Sequence, residues 1–152
     1  MRTSERSPRS ARGSRGGALP GIVGGALVSE VSSALARLPG VAVERNAVMR
    51  ARLPSGAQVI TGVGGLGAPD VFCEVPTPAG VRACLWLECK SGEGELSADQ
   101  RKWHARAAVV GRHVFTIRSV EQAVEIVRAF MRGEVVRGEV VRGEITRTGG
   151  AP

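Results

Sequence analysis

Cysteine and histidine are scarce: three and two in 152 residues. Cys73, Cys84 and Cys89 are an odd number at spacings of eleven and five, with no C-x-x-C, and only His104 and His113 could join them. A disulfide framework and a structural zinc site are therefore not expected, and a reducing cytoplasm is the expected compartment. No run of eighteen apolar residues exists, so no membrane span and no membrane partner are expected. No apolar stretch follows the basic start to make a secretory signal. The Arg- and Ser-rich beginning also has too much Gly and Pro, and no amphipathic period, for an organelle transit peptide.

What is present fits one globular domain. The hydrophobic content of 43% is ordinary, and the length suffices for a single sizeable core. The net charge is +7, of which residues 1–17 carry +4, residues 18–131 carry +2 and residues 132–152 carry +1. Most of the excess lies in an N-terminal arm expected to be disordered. Such an arm favours nucleic acid through counterion release, although a solvated tail with no partner, or coding bias toward Arg, explains the charge equally well.

Three regions follow: a basic arm at 1–17, a folded domain at 18–131, and a tail at 132–152. The tail repeats with period five (Arg132-Gly133-Glu134-Val135-Val136 and onward). Five matches neither the strand nor the helix period, so the tail reads as a poorly ordered duplication, with replication slippage a sufficient origin.

Within the domain, Leu27, Val31, Leu35 and Leu38 recur at helical spacing and predict a helix over about 27–38, stopped by Pro39-Gly40. One strand is expected within 41–53 and another within 57–62, around the turn Pro54-Ser55-Gly56. The glycine-rich stretch 62–69 is irregular. Residues 70–75 and 81–90 read as a hairpin. Ser97-Ala98-Asp99-Gln100 is a capping-box pattern that starts a helix running to Val110, with Gly111 as its stop. A strand over 112–118 follows. Ser119-Val120-Glu121-Gln122 then starts a last helix, expected to bury Val120, Val124, Val127 and Met131. The expected fold class is α/β in the order αββββαβα, a mixed sheet flanked by helices, with the strands on either side of the capped helix able to run parallel.

The chemistry concentrates in Pro69-Asp70 and Glu88-Cys89-Lys90, with seventeen residues between them. Strand alternation puts Val81, Ala83, Leu85, Leu87 and Cys89 on one apolar face. Arg82, Cys84, Trp86, Glu88 and Lys90 fall on the other. On the partner strand Asp70 shares a face with Phe72 and Glu74, so Asp70 and Glu88 can meet across the pair, in a register left open by the loop. Two converging carboxylates repel, and a divalent cation relieves the repulsion. Mg²⁺ takes a few carboxylates together with water and phosphate oxygens, and lowers the pKa of a water while stabilising charge on phosphate. Lys90 would hold or deprotonate the attacking water, or neutralise the charge growing on phosphate.

These residues resemble the PD-(D/E)XK nuclease superfamily. The blocks Gly67-Ala68-Pro69-Asp70-Val71, Trp86-Leu87-Glu88-Cys89-Lys90-Ser91 and Leu96-Ser97-Ala98-Asp99-Gln100 resemble its VRR-NUC branch in pattern and spacing, over about residues 28–128. The resemblance implies a restriction-endonuclease-like fold and a metal-dependent DNA endonuclease using Mg²⁺, with Mn²⁺ able to substitute. It further implies Asp70, Glu88, Lys90 and Gln100 as catalytic residues. The implied metal ligands are Glu30, Asp70, Glu88 and the backbone carbonyl of Cys89. Branched or junction DNA, a homodimer, and a phage or mobile-element setting are also implied. The Arg45-Asn46 strand is similar to the family's first strand, with Ala47 where a Gly is common.

Plainer readings stand beside these. Asp70 can simply leave a turn, Glu88 and Lys90 can be an exposed ion pair worth about 0–1 kcal/mol, and Gln100 and Ser97 are capping residues in their own right. Trp86 and Trp103 are expected to pack rather than stack on bases. The functional alternative is a catalytically silent DNA-binding module of the same fold; a partner-binding protein working through its basic arm is a third reading.

Overall fold

A computed structural model describes residues 22–134. The basic arm, and the repeat tail beyond Glu134, lie outside the described residues. The elements are α1 (Ile22–Leu35), β1 (Ala42–Arg45), β2 (Met49–Arg52), β3 (Gln58–Thr61), β4 (Val71–Pro76), β5 (Arg82–Cys89), α2 (Ala98–Val109), β6 (His113–Ile117) and α3 (Val120–Met131). The molecule is mixed α/β. Four strands form a sheet in the order β1-β4-β5-β6, while β2 and β3 make a separate two-stranded hairpin.

The expected hairpin is present, with β4 and β5 antiparallel from Val71 opposite Leu87 to Pro76 opposite Arg82. Strand β6 lies parallel to β5, with Glu88 opposite Thr116, so α2 is the connection that such a pairing needs. Alternation sorts the two faces of the sheet. Val71, Cys73, Val75, Leu85, Leu87, Cys89, Phe115 and Ile117 join α1 and α3 in one core. Phe72, Trp86 and Val114 face the other way and meet Trp103 and Ala107 of α2. Helices therefore cover both faces, and the face under α2 is the one that carries Asp70 and Glu88.

Both predicted helix starts are built as the sequence suggests. Ser97 caps α2 with a complete capping box, and the chain leaves the helix through Gly111 at φ 71°, a left-handed conformation that glycine adopts without penalty. Ser119 Oγ accepts from the N–H of Gln122. The returning bond reaches one residue further back, from the N–H of Arg118 to Gln122 Oε1.

Several expectations need correction. The stretch 41–53 holds two strands rather than one, so five strands precede α2. The break follows from Asn46: its N–H donates to Asp70 O at 2.7 Å and its side chain is committed to a distant loop, so the chain turns out of the sheet before β2. Helix α1 runs over Ile22–Leu35 instead of about 27–38. Its end tightens through bonds from Arg37 N to Ala34 O and from Leu38 N to Leu35 O, the three-residue spacing usual in a last turn. On α3 the buried stripe is Ala123, Ile126, Val127 and Phe130, while Val120, Val124 and Met131 flank it. Just past α3, Arg132 bonds both Glu125 and Glu134; the expectation of a poorly ordered tail falls on residues that lie outside the described ones.

Candidate active site

Strand pairing brings the two acids together. The β4–β5 register, extended by one residue beyond Val71 and Leu87, sets Asp70 opposite Glu88. Asp70 Oδ2 accepts from the main-chain N–H of Cys89 at 2.9 Å, which pins the carboxylate to the end of β5. Glu88 is 1% exposed, the buried charged residue of the molecule's described part. Its Oε1 accepts from Gln100 Nε2 at 2.5 Å and from Lys90 Nζ at 3.1 Å. No donor among the described residues reaches Oε2.

Gln100 links site and helix. Its Oε1 accepts from Lys90 Nζ and from the N–H of Ser97, each at 2.8 Å. Its own N–H donates to Ser97 Oγ at 3.2 Å. The capping and site readings of this residue are therefore both structurally met by one amide. With Glu88 buried and the Lys90 side chain only 18% exposed, the pair is not the exposed ion pair of the plainer reading.

The electrostatics follow from burial. Desolvation is the largest influence on Glu88, the Asp70 charge adds to it, and Lys90 opposes it; the carboxyl is pushed up to about 7. Asp70 is also raised by burial, against the Cys89 N–H and the Lys90 charge. Each carboxyl lies close enough to influence the other's ionisation. Their ionisations are therefore coupled. Cys89 and Cys73 are inert by the same cause: burial pushes both thiols up to about 12.

Three supports were not legible beforehand. Asn46 Nδ2 donates to Val63 O at 2.9 Å and to Pro69 O at 2.8 Å, and its Oδ1 accepts from Val63 N at 2.8 Å. This single amide ties both ends of the glycine-rich loop to the strand that ends beside Asp70. Gly67 (φ 79°) lies so close to α2 that a Cβ would sit 2.2 Å from Asp99 O. The Arg118 guanidinium donates to Gly92 O and Gly94 O, holding the loop between Lys90 and α2. The Arg45-Asn46 pair within the family-like strand was the available signal for Asn46. Gly67 stood at the head of the family-like Gly67-Ala68-Pro69-Asp70 block, and Arg118 had no signal beyond its charge.

The structure thus brings Asp70, Glu88, Lys90 and Gln100 together, with the Cys89 backbone between them. It does not bring Glu30 to them. Glu30 is exposed on α1, which packs on the opposite face, and no hydrogen bond or ion pair among the described residues joins it to the cluster. Among the described residues, no three His, Cys, Asp or Glu side chains form a ready metal-holding group. Trp86 and Trp103 pack with their rings tilted by 57° and centroids 5.1 Å apart, and the Trp103 indole N–H donates to Gly64 O at 2.9 Å. His113 opens β6 and packs on Phe130. A cavity of about 490 Å³ lined by Pro78, Ala83, His113 and Phe130 opens at the other end of β5, away from the paired acids. Comparison of the chain with known protein families, curated proteins and solved structures gives no match.

Proposed function

We propose that the chain is a metal-dependent DNA endonuclease with a restriction-endonuclease-like fold of the VRR-NUC kind. The observation that carries this reading is Glu88. A glutamate 1% exposed has two donors on Oε1 and, among the described residues, none on Oε2, directly across from a second carboxylate. A buried acceptor without a donor is costly, and two facing carboxylates call for a proton or a cation between them. Hard carboxylate oxygens suit Mg²⁺, with Mn²⁺ as a substitute. Asp70 and Glu88 would hold the ion, with the Cys89 carbonyl as a third ligand. Glu30, which the resemblance adds to the set, is exposed on α1. When bound, such an ion supplies a water of lowered pKa and stabilises charge on phosphate.

The protein's own groups have separate tasks. The Cys89 N–H fixes one oxygen of Asp70, leaving the other free to turn toward a ligand. Lys90 is held beside Glu88 by Gln100, with part of its side chain open to solvent. There it can orient a water or meet the negative charge that grows as phosphorus is attacked. Gln100 fixes Lys90 and Glu88 in one geometry, which spares reorganisation during the reaction. Branched or junction DNA as substrate, a homodimer as the working unit, a cytoplasmic location and a phage or mobile-element setting belong to the same reading.

The test is direct. Purified protein is incubated with four-way-junction, flap, duplex and single-stranded DNA in Mg²⁺, Mn²⁺ or EDTA, beside Glu88→Ala and Asp70→Ala. The expected result is cleavage that needs metal and falls at least about a hundredfold in either variant, with binding retained. Binding without cleavage in every metal would replace the enzyme by the silent DNA-binding module.

A further inference from the structure

Two acids at the end of a sheet repel the phosphate they must approach, so the cations around them matter. Those cations are unequally committed. Lys90 is bonded to Glu88 and Gln100. The Arg118 guanidinium donates to Gly92 O and Gly94 O, and that of Arg101 donates to Leu96 O. Arg45 differs from all three. It is exposed at the end of β1, and among the described residues its guanidinium has no hydrogen bond and no ion pair.

The backbone under Arg45 is held in place. Strand β1 is the edge of the sheet and sets Arg45 opposite Val71, the residue after Asp70. The N–H of the next residue, Asn46, donates to Asp70 O at 2.7 Å. The Asn46 side chain is tied to Val63 and Pro69. Burial is the largest influence on the Asp70 carboxyl, and the Arg45 charge is one of those that oppose it. Arg45 thus stands one strand from the acids, within reach of their field, on a fixed base.

Its side of the sheet is also defined. Val71 lies in the core that α1 and α3 build, and residues directly opposite across a strand pair share a face. Arg45 therefore starts from the α1 side. Lys90 is held on the other side by Gln100 of α2. The sheet end that carries Asp70 and Glu88 has a cation on each flank, and only the one on β1 keeps all its donors. A guanidinium offers five N–H groups in a planar fork, which matches two oxygens of a phosphate. A DNA strand carries a charge at every nucleotide, so a phosphate placed at the acids always brings a charged neighbour with it. The competing reading is a solvated arginine that acts on Asp70 through its field alone.

We infer that Arg45 grips a backbone phosphate next to the scissile one and so sets the DNA strand across the paired acids. The inference rests on the nuclease reading of those acids. Its test uses the full chain and the DNA that wild type cuts. Arg45→Gln should raise KM about tenfold with kcat within about twofold of wild type, and Arg45→Lys should recover part of the loss. Arg37→Gln, which removes an equal charge beyond the end of α1, should match wild type in both. The same DNA is then made with one uncharged methylphosphonate in place of a phosphate, at each position in turn on either side of the cut. At one position the substitution should cost wild type about tenfold in kcat/KM and cost Arg45→Gln nothing further, as for two groups in contact. An Arg45→Gln enzyme with the KM of wild type would overturn the grip and leave the nuclease standing. So would methylphosphonate losses equal in the two proteins at every position, which would leave Arg45 acting through its field. A wild type that cuts no DNA in any metal would remove the nuclease reading and the inference together.

Discussion

Burial and the neighbouring Asp70 carboxyl push Glu88 up to about 7, so near neutrality and without a cation this side chain is close to half ionised. The sign of its effect on stability follows. A carboxyl whose folded value is raised contributes stability that is present below about 4.5, its ordinary value, and lost as pH rises through about 7. In EDTA, the melting temperature of wild type relative to Glu88→Gln should therefore fall between pH 5 and pH 8. Parallel pH profiles for the two proteins would refute the assignment. At this scale the sequence was informative where chemistry and alternation coincide: the positions of Asp70, Glu88 and Lys90 on one face follow from a period of two. Asn46 could not be read this way. Its partners lie 17 and 23 residues off, and no local pattern encodes a side chain that bridges two loop ends.

The elements show how unequal the glycines of the 62–69 loop are. Gly65 and Gly67 both have positive φ, at 75° and 79°, yet a Cβ on Gly65 meets nothing within 4 Å while one on Gly67 would enter the first turn of α2. Gly65→Ala should cost about 1 kcal/mol, the ordinary left-handed penalty. Gly67→Ala should cost more than twice that and displace the loop from α2, carrying Asp70 out of place. Urea unfolding of both variants measures the difference, and equal costs would show that the loop yields. Helix starts were legible because a capping box is a local pattern, and Ser97 and Gln100 satisfy it in full. On α3 the expected Val127 lies in the core and Val120, Val124 and Met131 pack half-buried against it, but the fully buried stripe is centred one position over. Ala123 and Phe130 belong to the adjacent stripe, and tertiary packing decided between them. The split of 41–53 was hidden because Met49, Ala51 and Leu53 continue an acceptable strand alternation past Asn46.

For the whole molecule, the class and the β-α-β parallel pairing were readable from the succession of elements. The departure of β2 and β3 from the main sheet was not, since pairing partners are chosen by packing far along the chain. On the proposed metal-dependent reading, millimolar Mg²⁺ at pH 8 should raise the melting temperature by several degrees, since ligand at a hundred times its Kd adds about 2.7 kcal/mol. EDTA should reverse the gain, and Glu88→Gln should show none. A rise of equal size in that variant would place the ion elsewhere.

Gln100 belongs at once to the first turn of α2 and to the Glu88–Lys90 pair. During folding, then, the charge cluster is completed only when that helix nucleates. Until then the chain carries two loosely placed acids and an unrestrained lysine, and offers no organised site to a metal or a phosphate. On the proposed nuclease reading, reactivity would in this way be tied to arrival at the finished structure, and a partly folded chain would be a harmless one.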